Sequence, residues 1–256
     1  MTTLLAASLA TLVFCAPGYP GGAGDAQPLL DQFAVAAAAA SGWPAGSLGA
    51  VYEPTEEGGL AKLASADAVL AFVPYPFYVE HAARLHLTPL VQADVADVGP
   101  QQRWTLIAKS GRLSGPASMT GYTVLSTAGY APGFVRRSAL QGWALPADVK
   151  IESTGQILSA LRRAAAGDPV AVLLDQTQAA ALPSLPFAAE LKSVTQSAEL
   201  PVALIAIVDA RLTTPRAKAL QEGLLKMGHS PGSTDSLAPL RLRGFVLPQL
   251  PLRTVP

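Results

Sequence analysis

Apolar and polar positions along the chain switch period repeatedly, and the switches mark strands alternating with helices. Thr11–Ala16 (TLVFCA) is a short apolar run followed by a Gly/Pro turn, APGYPGG. Residues 24–42 are alanine-rich, suit a helix and stop at Gly42. LGAVYE (48–53) has the composition of a strand. In TEEGGLAKLAS (55–65), Thr55 is placed to cap a short helix with acids in its first turn. DAVLAFV (67–73) is a continuous apolar run, as expected of a strand covered on both faces. PYPFYVEHAARLH (74–86) predicts a helix with Pro76 in its first turn. This βαβαβα order argues for a parallel sheet with helices on both faces.

The rest of the chain repeats the theme. TPLVQADV and QRWTLIAKS are extended, and SGRLSGPAS is a polar break. GYTVLST is a strand, AGYAPG a turn and FVRRSALQGW (134–143) a helix. DVKIES (148–153) is a strand, after which Ser153 and Gln156 have capping-box spacing. The following helix carries Ile157, Leu158, Leu161 and Ala165 on one face. PVAVLLD (169–175) is a buried strand whose last residue, Asp175, is placed to cap QTQAAAL. ELKSVTQS and VALIAIV are strands, and Thr214-Pro215 opens a helix with Ala217, Leu220, Leu224 and Met227 on its apolar face. Two βα arrays in sequence predict two α/β lobes, one from 11–97 and 202–256, the other from 98–201. The crossovers fall near 95–105 and 197–202.

Composition narrows the chemistry. With 18 basic and 18 acidic residues among 256, the chain lacks the basic excess of a nucleic-acid binder. The single cysteine, Cys15, excludes a disulfide framework and any multi-cysteine metal site, and suits a buried strand thiol. Leu4–Cys15 is too short to span a bilayer, which takes about 20 residues. Met1–Ala10 has the character of an export-signal remnant without a basic start.

Ligands of open α/β sheets bind beyond the carboxyl ends of the strands. That rule selects Tyr19, Pro20 and Gly21 after the first strand, Tyr75 after the third, Ser126, Thr127, Gly129 and Tyr130 in the second-lobe turn, and Asp175. Helix N-termini there attract anions, glycines permit close approach, and the tyrosines could wall a cleft. APGYPGGAGD lacks both the P-loop ending and the G-x-G-x-x-G spacing. His81 and His86 stand five apart and share no helix face, and no serine has a G-x-S-x-G context. No catalytic residue, metal ligand or cofactor site is assigned.

The stretch from Gly167 to Met227 resembles the second half of phosphate/phosphite/phosphonate-type periplasmic solute-binding proteins of ABC importers. The likeness rests on Gly167-Asp168 before a buried strand ending in Asp175, then Ser197, Pro201, a return strand and a helix ending near Met227. DAVLAFVPYPFYVEHA and the terminal RLRGF (241–245) also resemble that family, and the likeness spans about 12–245. The resemblance implies a two-lobed type II periplasmic-binding fold, each lobe a mostly parallel sheet flanked by helices, with two hinge crossovers. It implies a non-enzymatic, extracytoplasmic or periplasmic receptor that binds a small anionic or polar ligand between the lobes. The implied partner is an inner-membrane ABC permease, and the receptor would be a monomer. The turn STAGYAPG lacks the hydroxyl-rich run expected for phosphonate; only Ser126 and Thr127 match in type. An alternative on the same fold is an enzyme similar to menaquinone-pathway enzymes acting on small carboxylates.

Overall fold

The computed structural model describes residues 10–18, 22–229 and 234–250. The first half of the chain runs β1 (Ala10–Cys15), α1 (Ala23–Ala40), β2 (Leu48–Glu53), α2 (Glu56–Leu63), β3 (Ala68–Pro74), α3 (Tyr75–Leu85) and β4 (Thr88–Val95). Next come β5 (Gln101–Gln102), β6 (Thr105–Lys109), β7 (Thr123–Ser126), α4 (Pro132–Phe134), β8 (Lys150–Ser153), α5 (Ile157–Ala166), β9 (Val170–Leu174), α6 (Gln176–Ala181) and β10 (Leu191–Gln196). The chain returns through β11 (Leu200–Pro201), β12 (Ala203–Ile207), α7 (Thr214–Met227), α8 (Thr234–Leu237) and β13 (Leu242–Val246).

Two sheets organise these elements. One has the order β13-β4-β12-β3-β1-β2, the other β10-β6-β9-β7-β8. Each sheet with its helices forms a lobe. Both sheets are mixed, which refines the expectation of mostly parallel pairing. β1, β2 and β3 pair in parallel, but β12 enters antiparallel between β3 and β4. β7, β8 and β9 pair in parallel, while β6 and β10 add antiparallel strands. The reversed strands are those reached through the crossovers or, like β13, after them. The crossovers themselves pair as the short ladder β5–β11, Gln102 opposite Leu200 and Gln101 opposite Pro201. Beside them, the Trp104 amide donates to Ser197 Oγ at 2.9 Å, and the Ser197 amide donates to the Trp104 carbonyl at 2.8 Å.

Three apolar clusters hold the molecule. One packs α1 and α7 on the first sheet, with Phe33, Leu30, Leu220 and Leu224 fully covered. Phe14, Phe33, Phe72 and Phe245 meet there with centroids 4.3–6.3 Å apart. Truncating a ring such as Phe33 to alanine costs about 3–5 kcal/mol in a packed core. A second cluster packs α5 on the other sheet. The third joins the lobes: Tyr75, Phe77 and Tyr78 of α3 share it with Trp104, Phe134 and Leu140. Tyr75 stacks on Tyr78 at 6.1 Å and meets Phe134 edge-on at 6.0 Å.

Local expectations differ from the structure in three places. Ser153 is still paired in β8, opposite Ser126, so it cannot cap α5. Gln156 is the N-cap and makes no side-chain cap bond, and its amide donates to Thr154 Oγ1 at 3.0 Å. Leu158, placed on the apolar face of α5 by its spacing, is exposed; the buried face is Ala160, Leu161, Ala164 and Ala165. The first helical turn stands at the edge of the cavity described below, where Ile157 lines the wall and packs on the rim of the α5 cluster. The helix expected over 134–143 is the short α4 continued by a π-helical turn, Val135–Ala139, which ends at Leu140. By contrast, Thr55 caps α2 by accepting from the Gly58 amide at 3.1 Å, and Asp175 forms a reciprocal capping box with Gln178. Among the described residues, no helix is long and apolar enough to cross a membrane. Met1–Leu9 of the expected export-signal segment lie outside the described residues.

Candidate functional site

A cavity of about 790 Å³ lies between the lobes. Its first-lobe wall holds Gly18 at the exit of β1, Val95 at the end of β4 with Ala96 and Val98 after it, and Leu240 and Arg241 before β13. Its second-lobe wall holds Thr127 after β7, Gly155 and Ile157 at the start of α5, and Asp175, Thr177 and Gln178 after β9. Gln102 and Val202, on the crossovers, also line it. The carboxyl ends of β1, β4, β7 and β9 thus converge on one space, as in other open α/β sheets.

The lobes touch at the rim. Gly18 has φ +83°, and a β-carbon there would lie 2.5 Å from the Thr127 carbonyl oxygen. Only a residue without a side chain fits that turn against the opposite lobe. A second cross-lobe contact lies on α3, where the Glu80 carboxylate accepts from the Gly133 amide at 2.8 Å and the Phe134 amide at 3.3 Å. It takes two of the donors that begin α4, which no residue of the second lobe caps with its side chain.

Asp175 is the buried charge of the cavity wall. Its Oδ1 accepts from the Gln178 amide at 2.8 Å, and its own amide donates to Gln178 Oε1 at 3.2 Å. Burial pushes its carboxyl above the usual range, against the pull of the Gln178 and Thr177 amides. A protonated carboxyl there donates a hydrogen bond, and an ionised one accepts. Arg241 is the one cation among the described lining residues, an exposed side chain paired with Asp97 at 3.2 Å. Its backbone is left-handed, φ 54°, and its carbonyl accepts from the Ala96 amide at 2.8 Å. Gln102 is 4% exposed, and its Nε2 is buried without a hydrogen-bond partner. Among the described residues no three His, Cys, Asp or Glu side chains form a group that could hold a metal ion.

The residues selected from the sequence divide into four groups. Thr127 and Asp175 line the cavity. Ser126 and Gly129 support its turn from behind. Ser126 Oγ donates to the Leu173 carbonyl at 2.8 Å and accepts from the Ala128 amide at 3.1 Å, and a β-carbon on Gly129 would collide with the Glu152 carbonyl. Tyr75 and Tyr130 pack on the interlobe apolar cluster and are not among the described residues that line the cavity. The reason for Tyr75 is that α3 begins against the crossover, its amide donating to the Val202 carbonyl at 3.0 Å, which turns the ring toward Phe134. Tyr19, Pro20 and Gly21 lie outside the described residues. Sequence reasoning missed Gln102 and Arg241. The only signal for Arg241 was the RLRGF segment; for Gln102 there was none.

No protein-family model and no curated protein sequence matches the chain. Solved structures do. XAC2383 from Xanthomonas citri, bound to chloride, superposes with a TM-score of 0.67 at 16% identity, over 95% of this chain and 92% of that one. The binding-protein component of an ABC phosphonate transporter from Pseudomonas aeruginosa gives 0.58 at 15% identity, over 93% and 81%. PhnD1 from Prochlorococcus marinus, in complex with methylphosphonate, gives 0.54 at 13% identity, over 93% and 92%. The chain therefore has the two-lobed α/β fold of type II periplasmic binding proteins.

Proposed function

We propose that the chain is an extracytoplasmic solute receptor that holds a small anionic ligand of the phosphonate or phosphate class between its lobes and delivers it to an ABC permease. The observation that carries this reading is the 790 Å³ cavity walled by both lobes and by the crossovers. A site built from two lobes couples ligand binding to hinge closure. The fold it shares with phosphonate-binding proteins favours the ligand class. So do the N-terminus of α5, which carries no side-chain cap, and Arg241 at the rim. Burial raises the Asp175 carboxyl above its ordinary value, and whenever that carboxyl is protonated it can donate to an oxyanion. Asp175 and Arg241 are the only charged residue types among the described lining residues, and they stand on opposite lobes. Binding needs no acid–base pair, and the receptor acts as a monomer. Tyr19, Pro20 and Gly21, next to Gly18 in the sequence, are assigned to the same proposed site.

The test is a thermal-shift screen of phosphate, phosphite, methylphosphonate, carboxylates and amino acids. A ligand at 100 times its dissociation constant adds about 2.7 kcal/mol. That raises Tm by roughly 5–10 °C in a chain of this size. Oxyanions are expected to give that shift. A response confined to uncharged ligands would refute the anion class, and turnover of any ligand would refute the receptor.

A further inference from the structure

Two glutamines are buried near the crossovers, and they are treated differently. Gln92, fully buried in β4, is partnered at both ends of its amide: its Nε2 donates to the Pro100 carbonyl and its Oε1 accepts from the Gln249 amide at 3.0 Å. Gln102 is nearly as buried, yet its Nε2 has no partner. A buried amide without a partner is costly, and folded proteins hold few of them. Trp43, Ser47, Trp104 and Trp143 also carry a buried, unpartnered side-chain atom, but of these residues and Gln102 only Gln102 borders the interlobe cavity.

Its backbone is firmly placed. Gln102 pairs with Leu200 across the β5–β11 ladder, and the next residue, Arg103, donates to the Ser197 carbonyl at 3.3 Å and meets Glu199 at 3.3 Å. Gln102 therefore stands in the one part of the cavity wall that belongs to both lobes' connections, where a hinge displaces atoms least. A group there meets the ligand before and after closure. A primary amide has two donors and an acceptor on a rotatable end, so it can turn its N–H toward an acceptor ligand.

We infer that Gln102 is a ligand-selecting residue: its Nε2 donates to an oxygen of the bound ligand, and that bond satisfies an amide the fold leaves open. This rests on the receptor reading above and deepens it, because it places an anion oxygen over the crossovers, on the same cavity as Asp175 and Thr127. The ligand class is an oxyanion with an acceptor oxygen free on the hinge side, a phosphonate or a phosphate.

The test compares wild type with Gln102→Leu, which keeps the volume and removes the amide. Isothermal titration uses methylphosphonate and inorganic phosphate. A lost hydrogen bond to a charged acceptor predicts affinity about 10- to 100-fold weaker for whichever of the two binds wild type. Equal affinity in the variant overturns the inference and leaves the receptor intact. No binding of either anion to wild type overturns the anion reading and this inference together. Should Gln102→Leu fail to fold, the wild-type protein decides. The side-chain ¹⁵N–¹H resonances of Gln102 shift on saturation if its amide meets the ligand, and stay in place if it does not.

Discussion

Replacing Gly18 by alanine adds one methyl group at the point where the lobes touch, and the structure separates its cost into two parts. The first is conformational. At φ +83° an L-residue is strained by about 1–2 kcal/mol. Restricting the unfolded chain offsets about 0.4–1 kcal/mol of that. A stability loss of about 1 kcal/mol should remain whether the lobes are together or apart. The second part is steric and exists only when the turns meet. The methyl would sit 2.5 Å from the Thr127 carbonyl oxygen, against ordinary contacts of 3.4 Å and more. Overpacking of that kind costs about 1–3 kcal/mol. If the ligand-bound form holds these turns together, that cost appears as affinity weakened roughly 5- to 150-fold. Gly42 supplies the control, because its φ is +66° and a β-carbon there meets nothing within 4 Å. Gly42→Ala should lose similar stability in urea unfolding and bind oxyanion as wild type does. Gly18→Ala should lose similar stability and bind more weakly by calorimetry. Unchanged affinity in a folded Gly18→Ala protein would refute the role of this contact in binding.

Three further outcomes follow from the charges. Asp175 has a folded-state pKa raised chiefly by burial, so its contribution to stability is present below the ordinary carboxylate range and lost as pH rises through the raised value. Asp175→Asn keeps a good N-cap. It should therefore flatten the denaturation free energy against pH over that window, and an unaltered slope would contradict the assignment. Asp67 is held at about 2 by hydrogen bonds from Thr11 first and then Ser65, so its stabilisation is present above the ordinary carboxylate range and lost as pH falls through about 2. Thr11→Val should move the Asp67 titration upward by NMR, and an unmoved titration would contradict that cause. The Cys15 thiol is pushed up to about 12, by burial first and then by Glu53 and Glu56. It should resist thiol reagents at pH 8 until urea unfolds the chain, and rapid labelling of the native protein would contradict its burial.

The sequence made elements legible where a single local signal decided them. An apolar run of strand length located β3 and β9, and an acid between a strand end and a helical segment located the Asp175 cap. The residues it did not reveal depend on distant partners. Nothing in VALIAIV says that β12 runs antiparallel between β3 and β4, since burial on both faces erases the alternation that would mark direction or neighbours. Tyr75 and Thr127 both follow a strand, yet one ring turns into the interlobe core and the other side chain borders the cavity. Phe134, 59 positions along the chain from Tyr75, makes the difference. Gln102 reaches the cavity because β5 pairs with β11, almost a hundred residues away, and Arg241 because the segment before β13 folds back over the end of β4. The mixed sheets have the same origin, in returns through the crossovers that local periodicity does not encode.

The most direct measurement is a crystal structure of the protein grown with methylphosphonate or inorganic phosphate, whichever binds more tightly in solution. The expected result is the anion between the lobes, with one oxygen within hydrogen-bond distance of the Gln102 amide and the rest of the group facing Thr127 and Asp175. The same anion bound outside this cavity, with the space between Gly18, Gln102 and Asp175 left to solvent, would contradict the assignment of the cleft.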